Sequence, residues 1–206
     1  MADFEIALTR TLRFEGGYAN NTNDTGGETY RGIARKFHLT WAGWPIVDIA
    51  KSNPTFPSSL EANPLLGSLV ADFYRTEFWN AVRAGEIHSQ AIANELFDCA
   101  VNHGIAPAVS ILQQAMNYLT APPLLFLTVD GVIGTTTINA VNRWLTSSSL
   151  EFLVAINCLL SVMLVLRANL YVRIIDGKAS QKTFFEGWIR RILCPPALVE
   201  RRVSEV

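Results

Sequence analysis

Charged residues are scarce in this chain. They make 17% of its 206 residues, against about 25% in ordinary domains. With a net charge of −1 the chain has no electrostatic footprint for nucleic acid, so any substrate must be recognised by local groups rather than by a global field. Cysteine is scarce too. Cys99, Cys158 and Cys194 are odd in number and widely separated, which excludes a disulfide framework and a Cys-x-x-Cys metal site and suits free thiols in a reducing compartment. His38, His88 and His103 are scattered and no His-Glu-x-x-His is present, so neither a metal nor a cofactor is expected. The first residues, Met-Ala-Asp-Phe-Glu-Ile, lack a basic stretch followed by a long apolar run. No secretory signal is readable there. The chain is expected to be made in the cytoplasm and, if its substrate lies outside, to be released by something else. Half the residues are apolar, enough for one domain or two small lobes with a proper core.

What the sequence does hold is one chemically dense stretch, Phe14 to Thr29, with three acids and four glycines. Before it, Phe4, Leu8, Leu12 and Glu15 recur at near-helical spacing, which predicts a helix to about Phe14 with Asp3 as its cap. Glu15 then falls inside the apolar stripe, and Gly16-Gly17 can end the helix. A carboxyl group there meets the negative end of the helix dipole and poor solvation. Both favour its protonated form, the profile of a general acid. Asp24 and Thr29 follow nine and fourteen residues on, across a turn-rich segment that predicts a small hairpin or tight loop. Two carboxyl groups in unlike environments, with a hydroxyl to hold a water, are what glycoside hydrolysis requires. Glu28 competes with Asp24 for the second role.

The spacing resembles the Glu…Asp…Thr triad of phage-type lysozymes. The fuller string Glu-Gly-Gly-Tyr…Asn-Asp…Gly-Gly-Glu-Thr…Gly-Ile resembles the signature of glycoside hydrolase family 108, the N-acetylmuramidases of phage endolysins and bacterial secretion-activator proteins. Further on, Phe97-Asp98-Cys99-Ala100-Val101-Asn102-His103-Gly104 is similar to that family's Phe-Asp-x-Ala-Val-Asn-x-Gly element. Phe73-Tyr74-Arg75…Phe78-Trp79 and Phe184-Phe185-Glu186-Gly187-Trp188 through Arg191 are also family-like. Val129-Asp130-Gly131 through Thr137 is similar to a string of peptidoglycan-associated helical modules, and a structural turn is the expected role of Asp130.

The resemblance implies a mainly α, lysozyme-like two-lobed fold with a small β-hairpin or loop at the active site. It implies a catalytic lobe over residues 1–88 and a helical peptidoglycan-binding lobe over 89–206. Glu15, Asp24 and Thr29 would be catalytic, and Tyr30, Trp79, Asp98 and Asn102 would bind substrate. Asp98 and Asn102 sit one helical turn apart and read equally as cleft residues or as partners of nearby backbone. The aromatics of Trp41–Ser59, an irregular segment in this reading, serve as sugar platforms or as core anchors.

The expected activity is that of a muramidase of the lysozyme type acting on peptidoglycan strands in the periplasm or cell wall. A holin or export machinery would provide the route out, and the protein is expected to be a monomer. The alternatives are a non-catalytic wall-binding export accessory and a membrane-associated lysis component. The last rests on Leu150–Leu166, whose charge-free part, Phe152 to Leu166, spans fifteen residues where a spanning helix needs about 20. The reading therefore expects a central buried helix there and no membrane contact.

Overall fold

The computed structural model describes residues 1–20, 27–120, 126–147 and 150–193. The fold is mainly α, with one small sheet among the described residues. The chain divides into two compact units, one of Leu8–Glu77 and one of Met1–Ala7 with the chain from Phe78 onward.

Helix α1 spans Phe4–Thr11. Asp3 caps it as expected, its Oδ1 accepting from the Glu5 N–H at 2.7 Å. The regular helix stops three residues before Phe14: Leu12 N–H still donates to the Leu8 carbonyl, but Arg13 and Phe14 tighten onto the Arg10 and Thr11 carbonyls at 3.2 and 3.0 Å. In the unit that follows, strands β1 (Tyr18–Asn20), β2 (Glu28–Tyr30) and β3 (Ile33–Ala34) form an antiparallel sheet in that order. Tyr30 pairs with Ile33, so Arg31-Gly32 is a two-residue hairpin turn. Both hold positive φ, 48° and 79°, as a type I′ turn requires.

The segment read as irregular contains a short helix, α2 (Trp44–Ala50), started by a proline in its first turn. Trp44 is buried there and donates its indole N–H to the His38 carbonyl at 2.7 Å. Trp41 donates to the Leu69 carbonyl and stacks on Tyr30. These two tryptophans are anchors of the core. Helix α3 (Pro64–Tyr74) starts on an Asn63 cap that accepts from the Leu66 N–H. It buries Leu66, Val70 and Tyr74, one residue every four, the stripe an amphipathic helix puts inward. It runs on into a π-helical turn, Arg75–Trp79.

The second unit is a helical bundle: α4 (Gln90–His103), α5 (Ile105–Leu119), α6 (Thr135–Ser147), α7 (Phe152–Gly177) and α8 (Phe185–Leu193). Its fully enclosed helix is α4, buried without interruption from Ala91 to Ala100. The apolar run expected to take that place forms α7, which buries only one face, through Ala155, Ile156, Leu159, Leu160 and Met163. Phe152, Leu153, Val154 and Val165 lie exposed. By length and composition α7 could cross a membrane. Just past its middle, however, stands Arg167, which is 0% exposed and bound to Glu95 and Asp98 of α4 at 2.8 Å each. These pairs tie α7 to α4.

The loop ahead of α6 is closed by one buried amide. Gln113 Oε1 accepts from the backbone N–H groups of Asp130 and Gly131, and its Nε2 donates to the Asp130 carboxylate at 2.8 Å. Asp130 therefore has the turn-building role expected of it.

Close to α4's C-terminal end, His103 lies against Tyr171, with its Nε2 buried and without a hydrogen-bond partner. Burial, reinforced by Arg167 and Arg191 and opposed by Asp98, lowers its pKa to about 4. Unfolded histidine titrates near ~6.5. Between these values the unfolded chain binds a proton the folded chain refuses, so stability is complete above ~6.5 and falls as pH drops toward 4. Denaturant midpoints are expected to decline over that interval, and His103→Gln should flatten the decline. Equal slopes for the two proteins would remove His103 as the cause.

Candidate active site

Glu15 lies in a bend between the end of α1 and β1, half-buried. Because α1 stops at Thr11, its carboxyl group stands beyond the last helical turn rather than within it, a correction to the predicted helix end. It rests on the hairpin turn. A Cβ placed on Gly32 would lie 2.6 Å from Glu15 Oε2 and 2.6 Å from the Tyr74 hydroxyl oxygen, so only the bare glycine backbone admits both groups. The positive φ of Gly32 sets the same demand independently. The turn is tied on two sides. Arg31 donates its N–H to the carbonyl of Gly17, two residues after Glu15, at 3.0 Å. The Tyr74 hydroxyl donates to the Arg31 carbonyl at 2.7 Å.

Thr29 sits in the middle strand, paired with Ala19 of β1 and Ala34 of β3. Strand alternation puts it on the opposite face from Glu28 and Tyr30. Asp24 lies outside the described residues. Its rival Glu28 is fully engaged: Arg35 at 2.9 Å, Lys51 at 2.7 Å and the Tyr18 hydroxyl at 2.9 Å all reach its carboxylate. Partial burial pushes the Glu28 carboxyl up, but Lys51, Arg35 and Tyr18 outweigh it and hold the group below its ordinary value. Arg35 and Lys51 also bind Asp48, so Glu28 belongs to a neutralised network that ties the sheet to α2.

Three of the predicted substrate-binding side chains are interior. Tyr30 is 3% exposed, its hydroxyl 3.4 Å from the Leu60 carbonyl. Trp79 is buried in an edge-to-face cluster with Phe4 and Phe97. Asp98 is 2% exposed, gripped by Arg167 and by the Arg191 fork at 2.8–3.1 Å. Burial raises the Asp98 carboxyl, yet the two guanidinium groups outweigh it and keep it ionised. Aromatic bulk draws the first two inward, and paired arginines explain the third. These residues shape the units and do not present a sugar-binding surface. Asn102 is half-buried and accepts from the Tyr171 hydroxyl at 2.7 Å, one turn from Asp98 but engaged with a different partner.

No group of three or more His, Cys, Asp or Glu suited to a metal occurs among the described residues. Cys99 is a buried free thiol whose pKa burial pushes up to about 12. Cys158 is also free, and Cys194 lies outside the described residues.

Residues 8–104, the stretch that holds Glu15, Thr29 and the turn at Gly32, match the model of glycosyl hydrolase 108. Residues 107–193 match that of a predicted peptidoglycan domain. The chain is thus similar to glycosyl hydrolase 108 over residues 8–104, a little under half of its length. Twelve chains of solved structures match it. One, titled "Structure of Brucella abortus SagA", has a TM-score of 0.58 over 98% of each chain at 24% identity, a likeness of fold. No curated protein matches. The first match supports a glycoside hydrolase, and the second supports peptidoglycan as a partner.

Tyr74 and the seat at Gly32 escaped the sequence reading. The apolar spacing of α3 points to Leu65, Leu69 and Phe73 as its inward side, whereas the structure buries Leu66, Val70 and Tyr74, one position on. The Gly-Ile at the end of the signature string was the one local hint that a glycine was required near the acid.

Proposed function

We propose that this protein is an N-acetylmuramidase that hydrolyses the β-1,4 bond between N-acetylmuramic acid and N-acetylglucosamine in peptidoglycan. Glu15 is the general acid that protonates the leaving oxygen. Asp24 stabilises the oxocarbenium-like charge or directs a water, and Thr29 helps hold that water. One observation carries the reading: the carboxyl group of Glu15 is seated on the glycine turn at Gly32, inside the stretch that matches glycosyl hydrolase 108. A separation of Glu15 and Asp24 carboxyls near ~6.5–9.5 Å would make the reaction inverting, and ~5–5.5 Å retaining.

The first lobe, residues 1–88, performs the cleavage, and residues 89–206 hold the wall. Made in the cytoplasm, the protein acts after release through a holin or export machinery, as a monomer, for cell lysis or for passage of protein through the wall. Digestion of purified sacculi followed by mass spectrometry tests the reading. Products ending in a reducing muramic acid are expected. Anhydro ends would make it a lytic transglycosylase, and binding without soluble products would make it an accessory that only holds the wall.

A further inference from the structure

A side chain in a bend takes its orientation from the surface beneath it, and for Glu15 that surface is the Arg31-Gly32 turn. We propose that Tyr74 is a positioning residue for Glu15: its hydroxyl, fixed on the Arg31 carbonyl, holds the turn in the shape that seats the carboxyl group. The proposal rests on the assignment of Glu15 as the acid.

Three observations converge. The Glu15 Oε2 and the Tyr74 hydroxyl oxygen each approach within 2.6 Å of the one point where a Cβ of Gly32 would stand, so they are at most twice that distance apart. The turn is conformationally costly, because Arg31 has a side chain and yet holds φ at 48°. Such a residue persists only where its surroundings over-determine it, and strain of this kind concentrates at functional sites. Here the surroundings are the Gly17 carbonyl on the Arg31 N–H and the Tyr74 hydroxyl on the Arg31 carbonyl. Finally, Tyr74 is 2% exposed on the buried stripe of α3. A phenylalanine would fill that stripe equally well, so the hydroxyl is a polar group carried into the core for the turn it binds. Through it the rigid end of α3, at Tyr74, reaches the acid fifty-nine residues earlier in the chain. A positioning error of about 1 Å can cost roughly a hundredfold in rate.

The test measures kcat and KM on soluble glycan strands for Tyr74→Phe, Glu15→Gln and their combination. Tyr74→Phe is expected to lower kcat by about ten- to a hundredfold, with KM within about twofold of the parent. Added to Glu15→Gln it should cost nothing more, because the group it positions is gone. A Tyr74→Phe enzyme with parental kcat, or an equal loss in both backgrounds, overturns the positioning role while leaving the acid in place. Parental turnover by Glu15→Gln instead overturns the acid, and this proposal with it. Should Tyr74→Phe fold poorly, Arg31→Gly relieves the strained φ without touching the hydroxyl. The Arg31→Gly/Tyr74→Phe protein is then compared with Arg31→Gly. A kcat still about tenfold down supports the proposal, and equal kcat values overturn it.

Discussion

Glu15→Gln is expected to leave the fold intact and to cut turnover of purified sacculi by roughly a thousandfold, within the range a general acid supplies. The amide matches the carboxyl group in size, so the seat on Gly32 and the turn beneath it stay filled. What it lacks is a proton to give, and without one the departing sugar must leave as an alkoxide. The contrast is Glu28→Gln, only thirteen residues away in the chain. That change leaves Arg35 and Lys51 without the carboxylate that now lies 2.9 and 2.7 Å from them. It should weaken the tie between the sheet and α2, seen as a lower melting temperature, with turnover within a few-fold of the parent. Release of reducing ends, followed beside circular dichroism, separates the two. If Glu15→Gln keeps turnover within about tenfold while Glu28→Gln abolishes it, the acid has been misassigned.

That pair also marks where the sequence was informative. The acid-glycine-glycine string is local, and local patterns carry local geometry: Asp3 as a cap, an acid just after a helix, a turn-rich stretch leading into a hairpin. The helix end was misplaced because the apolar spacing runs on through Leu12 while the backbone tightens from Arg13 onward, and side-chain period does not report which hydrogen bond a turn uses. Tyr30 and Trp79 could not be sorted into platform or core, since the same ring serves either and only burial decides. Asp98 looked like a cleft residue for a related reason. Its partners, Arg167 and Arg191, lie 69 and 93 residues away, beyond any periodic signal.

The apolar run that forms α7 misled in the same manner. Hydropathy says that residues 152–166 avoid water but not from which side they are covered. The structure covers one side only, and the decisive feature is the charge that ends the run. Arg167 spreads its guanidinium between Glu95 and Asp98 and lies 5.9 Å from the Tyr171 ring, while Asp98 also receives Arg191 from α8. One buried cluster thus joins α4, α7 and α8, which makes its integrity the largest single stability term to be expected in the second unit.

Arg167→Met should accordingly destabilise the protein by about 3–5 kcal/mol, the usual cost of breaking a buried pair by removing one partner. Methionine fills much of the volume, so the loss is electrostatic: Glu95 and Asp98 remain in the interior with part of their compensating charge removed. Arg167→Lys should recover little, because an ammonium cannot offer the planar fork that reaches two carboxylates at once. Converting the whole set, Arg167→Met with Glu95→Gln and Asp98→Asn, should recover stability relative to Arg167→Met, since the charges that needed compensation are gone. Chemical denaturation at neutral pH reads all three. A loss under about 1 kcal/mol for Arg167→Met would mean that the cluster is hydrated in solution. Were the same variant to leave the soluble fraction for lipid vesicles while keeping its helical content, α7 would instead be a membrane helix restrained by its buried arginine. The pairing with Glu95 and Asp98 predicts the opposite, a protein that unfolds earlier and does not partition.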